Sequence, residues 1–148
     1  MLKKLMGILM VSLIPAFILL SAGCEGEVSV SFTTANLSEA TMALGVTDDS
    51  KPVNATTVFT PDTEEIFCSA KLSNAPADTV ITSIWVYIGG ELEDVTNYEI
   101  DDFSLTTEGT RYIHFSMTRP DTGFPRGDYK LGLYIDDKES LAVPFSVR

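Results

Sequence analysis

The side chains able to do chemistry are few. His114 is the sole histidine, and Cys24 and Cys68 are the only cysteines. A Ser-His-Asp triad would have to take His114 as its base. His114 sits in a run where Tyr112, His114 and Ser116 alternate with Ile113, Phe115 and Met117. That spacing predicts an exposed histidine on the polar side of a strand. A blue-copper site needs two histidines and a cysteine, and a Cys/His zinc site needs more ligands than exist here. Cys68 alternates with Ile66, Ala70 and Leu72, which predicts a core thiol of raised pKa and little reactivity. No cofactor is expected.

Carboxylates cluster at Asp48-Asp49, at Glu91, Glu93 and Asp94, at Asp101-Asp102 and at Asp136-Asp137. Calcium takes about six to eight oxygens from converging loops, and no stretch has the spacing of a calcium loop. The loop of Glu91 and Asp94 is expected at the same end of the molecule as Asp121, which keeps a calcium-dependent adhesion module as an alternative. Glycoside hydrolysis needs two carboxylates at a set separation, and nothing singles out such a pair. An extracytoplasmic hydrolase is a further alternative, but the chain reads as a non-enzyme. Arg126-Gly127-Asp128 spells a tripeptide read by some animal adhesion receptors, but Gly127 and Asp128 are better explained as the turn before Tyr129.

Charge narrows the partners. Acidic residues outnumber basic ones 21 to 10. All the acids lie at or after Glu25, whereas Lys3 and Lys4 precede Cys24. Such a surface repels a phosphate backbone, so no nucleic-acid partner is expected. Flat docking on anionic headgroups is disfavoured for the same reason.

The elements that position these residues have a period of two. Val28, Val30 and Phe32 alternate with polar residues, as do Ile66 to Leu72, Ile113 to Met117, Leu131 to Ile135 and Leu141 to Val147. Met42, Leu44 and Val46 alternate as well, although Leu37 to Leu44 would also suit one helical turn. Val80 to Ile88 is β-rich on both faces, and a weaker strand is expected from Tyr98 to Leu105. Ser73-Asn74-Ala75-Pro76, Gly89-Gly90, Glu108-Gly109 and Asp121-Thr122-Gly123 supply turn chemistry between them. Asp136 to Glu139 reads as a four-residue hairpin loop. Pro144 removes a ladder donor, placing the last strand at an edge or at a bulge. About seven or eight short strands so punctuated indicate a sandwich or a small barrel.

The N-terminus has a different grammar. Lys3 and Lys4 precede an apolar run from Leu5 to Leu20, and Ser21-Ala22-Gly23 leads to Cys24. The order is that of a secretory signal. The run falls short of the roughly 18 residues of a spanning helix, and Pro15 interrupts it. Leu20-Ser21-Ala22-Gly23-Cys24 resembles the lipobox of bacterial lipoproteins, with Ser21 where leucine is favoured. The resemblance implies cleavage before Cys24, lipid on its sulfur and anchorage to a membrane, on its extracytoplasmic side. Two or more acyl chains anchor stably. The expected domains are a signal peptide over 1–23, a lipidated cysteine and tether over 24–27, and a β-domain over 28–148.

Gly127-Asp128-Tyr129-Lys130-Leu131 resembles the start of strand F in immunoglobulin-like domains. There a tyrosine two residues before the core position bonds its hydroxyl to upstream backbone. Tyr129 and Leu131 take those places, with Cys68 on strand B and Trp85 on strand C. Leu131 replaces the second cysteine, so the disulfide is absent and the likeness is to a fibronectin-type sandwich. The resemblance implies an all-β fold: a single immunoglobulin-like antiparallel sandwich, with Trp85, Tyr129 and Cys68 as structural core. The function expected is a membrane-anchored, non-catalytic binding, adhesion or spacer module with a protein or glycan partner.

Overall fold

The computed structural model describes residues 32–148. Their elements are β1 (Asn36–Val46), β2 (Pro52–Ala55), β3 (Val58–Phe59), β4 (Glu65–Gly90), β5 (Tyr98–Thr118), β6 (Gly127–Ile135) and β7 (Lys138–Val147). No described residue is helical. The signal segment, the tether and Val28–Ser31 lie outside the described residues.

Two strands are far longer than the sequence suggests. Ile66–Leu72 and Val80–Ile88 are joined in the 26-residue β4, and β5 runs for 21 residues. The stretch from Asn74 to Asp78 is a bend inside β4, not a loop between strands. Asn74 and Asp78 take left-handed φ values of 54° and 63°, which short polar side chains tolerate. Register shifts flank Ala75, and Ala75 pairs with Gly109 of β5, whose φ is 80°. Both strands therefore turn at the same level and pass together from one layer to the other.

The pairing sorts into two layers. The first half of β4 pairs with β1 on one side and with the second half of β5 on the other. Its second half pairs with β6 and with the first half of β5. β6 then pairs with β7 across a two-residue turn, Asp136-Asp137, tighter than the expected four. Both aspartates have positive φ, 46° and 68°, as a type I′ hairpin turn requires. One pair is parallel: β3 lies along the end of β7, Val58 beside Ser146. Every other pair is antiparallel, so the sandwich is mixed at this one edge. Pro144 lies on the stretch of β7 that β3 leaves uncovered.

Alternation places the core between the layers. Cys68, Leu72, Ile81, Trp85, Leu131 and Leu133 are fully buried in one cluster. In β1 the parity slips at Glu39, whose φ is 53° and which lies within a register shift. Leu37 and Met42 both point inward as a result. Leu44, expected inside, lies just past the last β1–β4 pair and is exposed.

Candidate functional site

His114 is exposed on β5, as its strand position predicts, but it has a partner that the sequence did not indicate. Ser50 Oγ lies 2.8 Å from His114 Nδ1. Ser50 is in the loop between β1 and β2, at a left-handed φ of 63°. Ser69 on β4 donates to the Ser50 carbonyl at 2.6 Å, and the Ser50 amide donates to Thr47 O. These bonds fasten the loop across the outer face of the first layer. Lys51 Nζ sits 5.6 Å from the centre of the Tyr112 ring. A hydroxyl and an imidazole in contact are two parts of a nucleophilic site. The third is a group that orients the base, and among the described residues no carboxylate is hydrogen-bonded to His114.

Cys68 faces Met42 and Phe115 across the ladders and is wholly buried. Burial pushes its thiol up to about 12. At neutral pH it is a packed thiol without thiolate character.

The acidic loops do converge in part. The 91–97 loop and the loop of Asp121 stand at the same end of the molecule, around one cleft. Among the described residues no three His, Cys, Asp or Glu side chains gather as a metal cluster. Glu91 is occupied in joining the loops: its carboxylate accepts from the Arg126 amide at 2.8 Å, and its own amide donates to Arg126 O at 2.8 Å. Arg126-Gly127-Asp128 is likewise taken up by structure. Asp128 pairs with Arg148, and Gly127 faces Gly90 across β6 and β4.

Trp85 and Tyr129 meet around Phe145. The Trp85 ring packs edge-on against Phe145 at 5.9 Å, and Tyr129 stacks on the same ring at 5.1 Å. Trp85 is 1% exposed, on the inner face with Tyr87. The Tyr129 hydroxyl donates to Pro125 O, four residues upstream. Burial raises the pKa of this phenol, with the Tyr87 and Glu91 charges adding to it.

The feature that sequence reading missed is the cleft itself. β5 follows β4 along one side of both layers and has no second neighbour among the described residues. In a ladder, residues opposite each other share a face. Leu105, Phe103 and Tyr98 stand opposite the buried Ile81, Ser83 and Tyr87. They thus belong to the inner face, yet Phe103 is 59% and Tyr98 61% exposed. Among the described residues the sandwich is open on that side. Next to the opening Leu92, Tyr98, Ile100, Met117 and Phe124 wall a cleft of about 200 Å³, floored by Tyr87 and Tyr129. The usable signal was two aromatics and an isoleucine within the acidic run Tyr98-Glu99-Ile100-Asp101-Asp102-Phe103. Alternation hides it, because the register shifts opposite Trp85 and Val86.

No protein-family model matches the chain, and no curated protein matches it. Solved structures do resemble it. One is the alkylpurine DNA glycosylase AlkC of Pseudomonas fluorescens bound to DNA containing an abasic site analog: TM-score 0.51, 15% identity, covering 78% of this chain and 31% of that one. Another is an immunoglobulin-like protein of Pseudomonas aeruginosa, at TM-score 0.49 and 16% identity, covering 77% of this chain and 96% of that one. A third is the β-D-glucoside glucohydrolase of Trichoderma reesei, at TM-score 0.48 and 13% identity, covering 79% and 19%. This chain spans about a third of the glycosylase's length. At such identities the likeness concerns the fold alone. The fold of this chain is an all-β sandwich, in which β4 and β5 belong to both layers.

Proposed function

We propose that the protein is a lipid-anchored, extracytoplasmic, non-catalytic binding module, and that the cleft beside β5 is its binding surface. The observation that carries the reading is the composition of this cleft. Its wall is apolar, exposed Leu92, Tyr98 and Ile100 gather at its mouth, and exposed Phe103 lies further along β5. Exposed apolar patches with polar rims mark interaction sites. Chemistry has less to work with: among the described residues no acid is hydrogen-bonded to the Ser50–His114 pair, and no His, Cys, Lys, Asp or Glu lines the cleft. The anchor rests on the Leu20–Cys24 resemblance to a lipobox, and the acidic surface beyond it keeps the body off anionic headgroups.

A neutral solvatochromic dye such as Nile red tests the cleft in the full chain. Bound dye should brighten and shift to the blue. Ile100→Asp, which places a charge at the mouth, should weaken dye binding about tenfold, equivalent to about 1.4 kcal/mol. Leu44→Asp, at an exposed leucine elsewhere, should leave it unchanged. Equal dye affinity in both variants would remove the cleft as the site. The anchor has its own test. Cys24→Ala should move the protein from the membrane pellet to the supernatant in high salt, and a variant that still pellets would end the lipid-anchor reading.

A further inference from the structure

The cleft is too small for most whole ligands. Small-molecule sites run to about 300–1,000 Å³, against 200 Å³ here. A volume of that size suits one or two side chains delivered by something larger. Beside it runs the free edge of β5, whose N–H and C=O groups on that side face no strand among the described residues. Edge strands are a template for another strand, and proteins blunt them with lysines, prolines or bulges. The stretch from Tyr98 to Thr107 has no lysine, arginine or proline, and its one register shift lies between Glu99 and Asp101, leaving Asp101 to Thr107 regular. What it has is acid: Glu99, Asp101 and Asp102 on the strand, with Glu91, Glu93 and Asp94 on the loop before it.

Resting on the binding-module reading above, we infer that this edge accepts an extended, basic peptide strand of a partner protein, which pairs with β5 from Tyr98 to Leu105 and lays an apolar side chain in the cleft. A strand presents alternate side chains to opposite faces. Added here, one set would cover Phe103 and enter between Tyr98 and Met117. The other set would lie beside Glu99 and Asp102, which stand opposite the outer-face residues Val86 and Ile84. Main-chain bonds supply affinity in such additions and the alternate pockets supply selectivity. Charge then decides between occupants. A second copy would set Glu99, Asp101 and Asp102 against themselves or against Glu108. The chain's own segment ahead of residue 32 carries Glu25 and Glu27 and, after Cys24, no base. Like charges placed opposite each other destabilise a ladder. Only a lysine- or arginine-bearing strand brings the opposite sign.

The probe is the synthetic peptide Lys-Val-Lys-Phe-Lys-Val-Lys, titrated by fluorescence anisotropy into the full chain reconstituted in phosphatidylcholine vesicles. Saturable binding with Kd below about 1 mM is expected, weakening as salt shortens the screening length. The same peptide with glutamate for lysine should bind at least tenfold more weakly. So should a lysine peptide N-methylated at alternate residues, which keeps every charge and side chain but cannot complete the ladder. Glu99→Lys/Asp101→Lys/Asp102→Lys should invert the preference between the two charge forms. Hydrogen exchange should slow at amides within 98–107, locating the complex on the edge and not elsewhere on the acidic surface. Equal binding of both charge forms, equal binding of the methylated peptide, or protection away from β5 would each overturn the inference. Absence of peptide binding with Nile red binding intact overturns the basic strand and leaves the cleft; loss of both overturns the binding-module reading as well. Concentration-dependent dimerisation with protection at 98–107 would assign the edge to a second copy and overturn the partner proposed here.

Discussion

Replacing Trp85 with alanine should lower the unfolding free energy by about 3–5 kcal/mol, the usual loss for a buried large aromatic. Trp85 is among the largest fully buried side chains and lies in the central strand β4, where Leu131 of β6 pairs with it. Its ring also holds Phe145 of β7 edge-on, so the change empties a space shared by three strands. Domains of this size are stable by about 5–15 kcal/mol, so the loss is a large share of the total. Urea unfolding of the full chain, followed by far-ultraviolet circular dichroism, measures the loss; fluorescence cannot, because Trp85 is the sole tryptophan. A cost under about 1 kcal/mol would mean that the ring is not part of a packed interior. Tyr129→Phe should cost less, about 1–3 kcal/mol, by leaving Pro125 O without its donor.

Gly127→Ala should also be severe, for a reason that lies in the backbone. Gly127 and Gly90 are cross-strand partners with φ of 155° and 153°. A methyl group on Gly127 would overlap Gly89 O and come within 2.9 Å of the Tyr87 ring; one on Gly90 would come within 2.5 Å of Gly127 Cα. Backbone cannot swing away as a side chain can. Forced overpacking costs about 1–3 kcal/mol, and an unfavourable φ adds about 1–3 kcal/mol. Gly109→Ala separates the two effects. Gly109 also has positive φ, 80°, but a methyl group there meets nothing within 4 Å, so only the conformational part should be lost. If thermal melts show Gly127→Ala no worse than Gly109→Ala, the close approach is relieved by some shift and the steric argument fails. The same geometry accounts for the glycine of Arg126-Gly127-Asp128 without any receptor.

Local sequence made the faces of the strands legible, because burial on one side enforces a period of two. Counting alone places Cys68, Leu131 and Phe145 inward, whereas Trp85 lies in a run apolar on both faces and is placed inward by the strand resemblance. Continuity was not legible. Asn74, Asp78 and Gly109 are turn residues by chemistry, and the same left-handed φ serves a loop or a bend within a strand. The difference lies in whether β5 is present to continue the ladder, which is a long-range fact. Asp136-Asp137 failed in the opposite direction: four polar residues suggested a longer loop, yet two of them suffice and the others enter the strands. The Ser50–His114 contact joins residues 64 apart, a separation no motif spans. For the cleft, Tyr98 to Leu105 read only as a weaker strand, with no face assigned to Tyr98 or Phe103. Their exposure follows from the absence, among the described residues, of a neighbour beyond β5, which no residue of β5 encodes.

The shared pair β4 and β5 has a consequence for how the chain reaches this structure. Their ladder starts beside the 91–97 loop, with Tyr87 opposite Tyr98, and runs outward to Glu65 opposite Thr118. Closing a loop costs entropy that grows with its length, so the pairs beside 91–97 are the least expensive to form. Each further pair then extends a hairpin already closed and needs no new loop. The zipper passes through the bends at Ala75 and Gly109 and carries the second layer into position as it goes. β1 and β6 have only to dock on the two halves of a template already set at the right angle. Much of a two-layer architecture, ordinarily slow to fold because its contacts are distant in sequence, is thereby reduced to the growth of one hairpin.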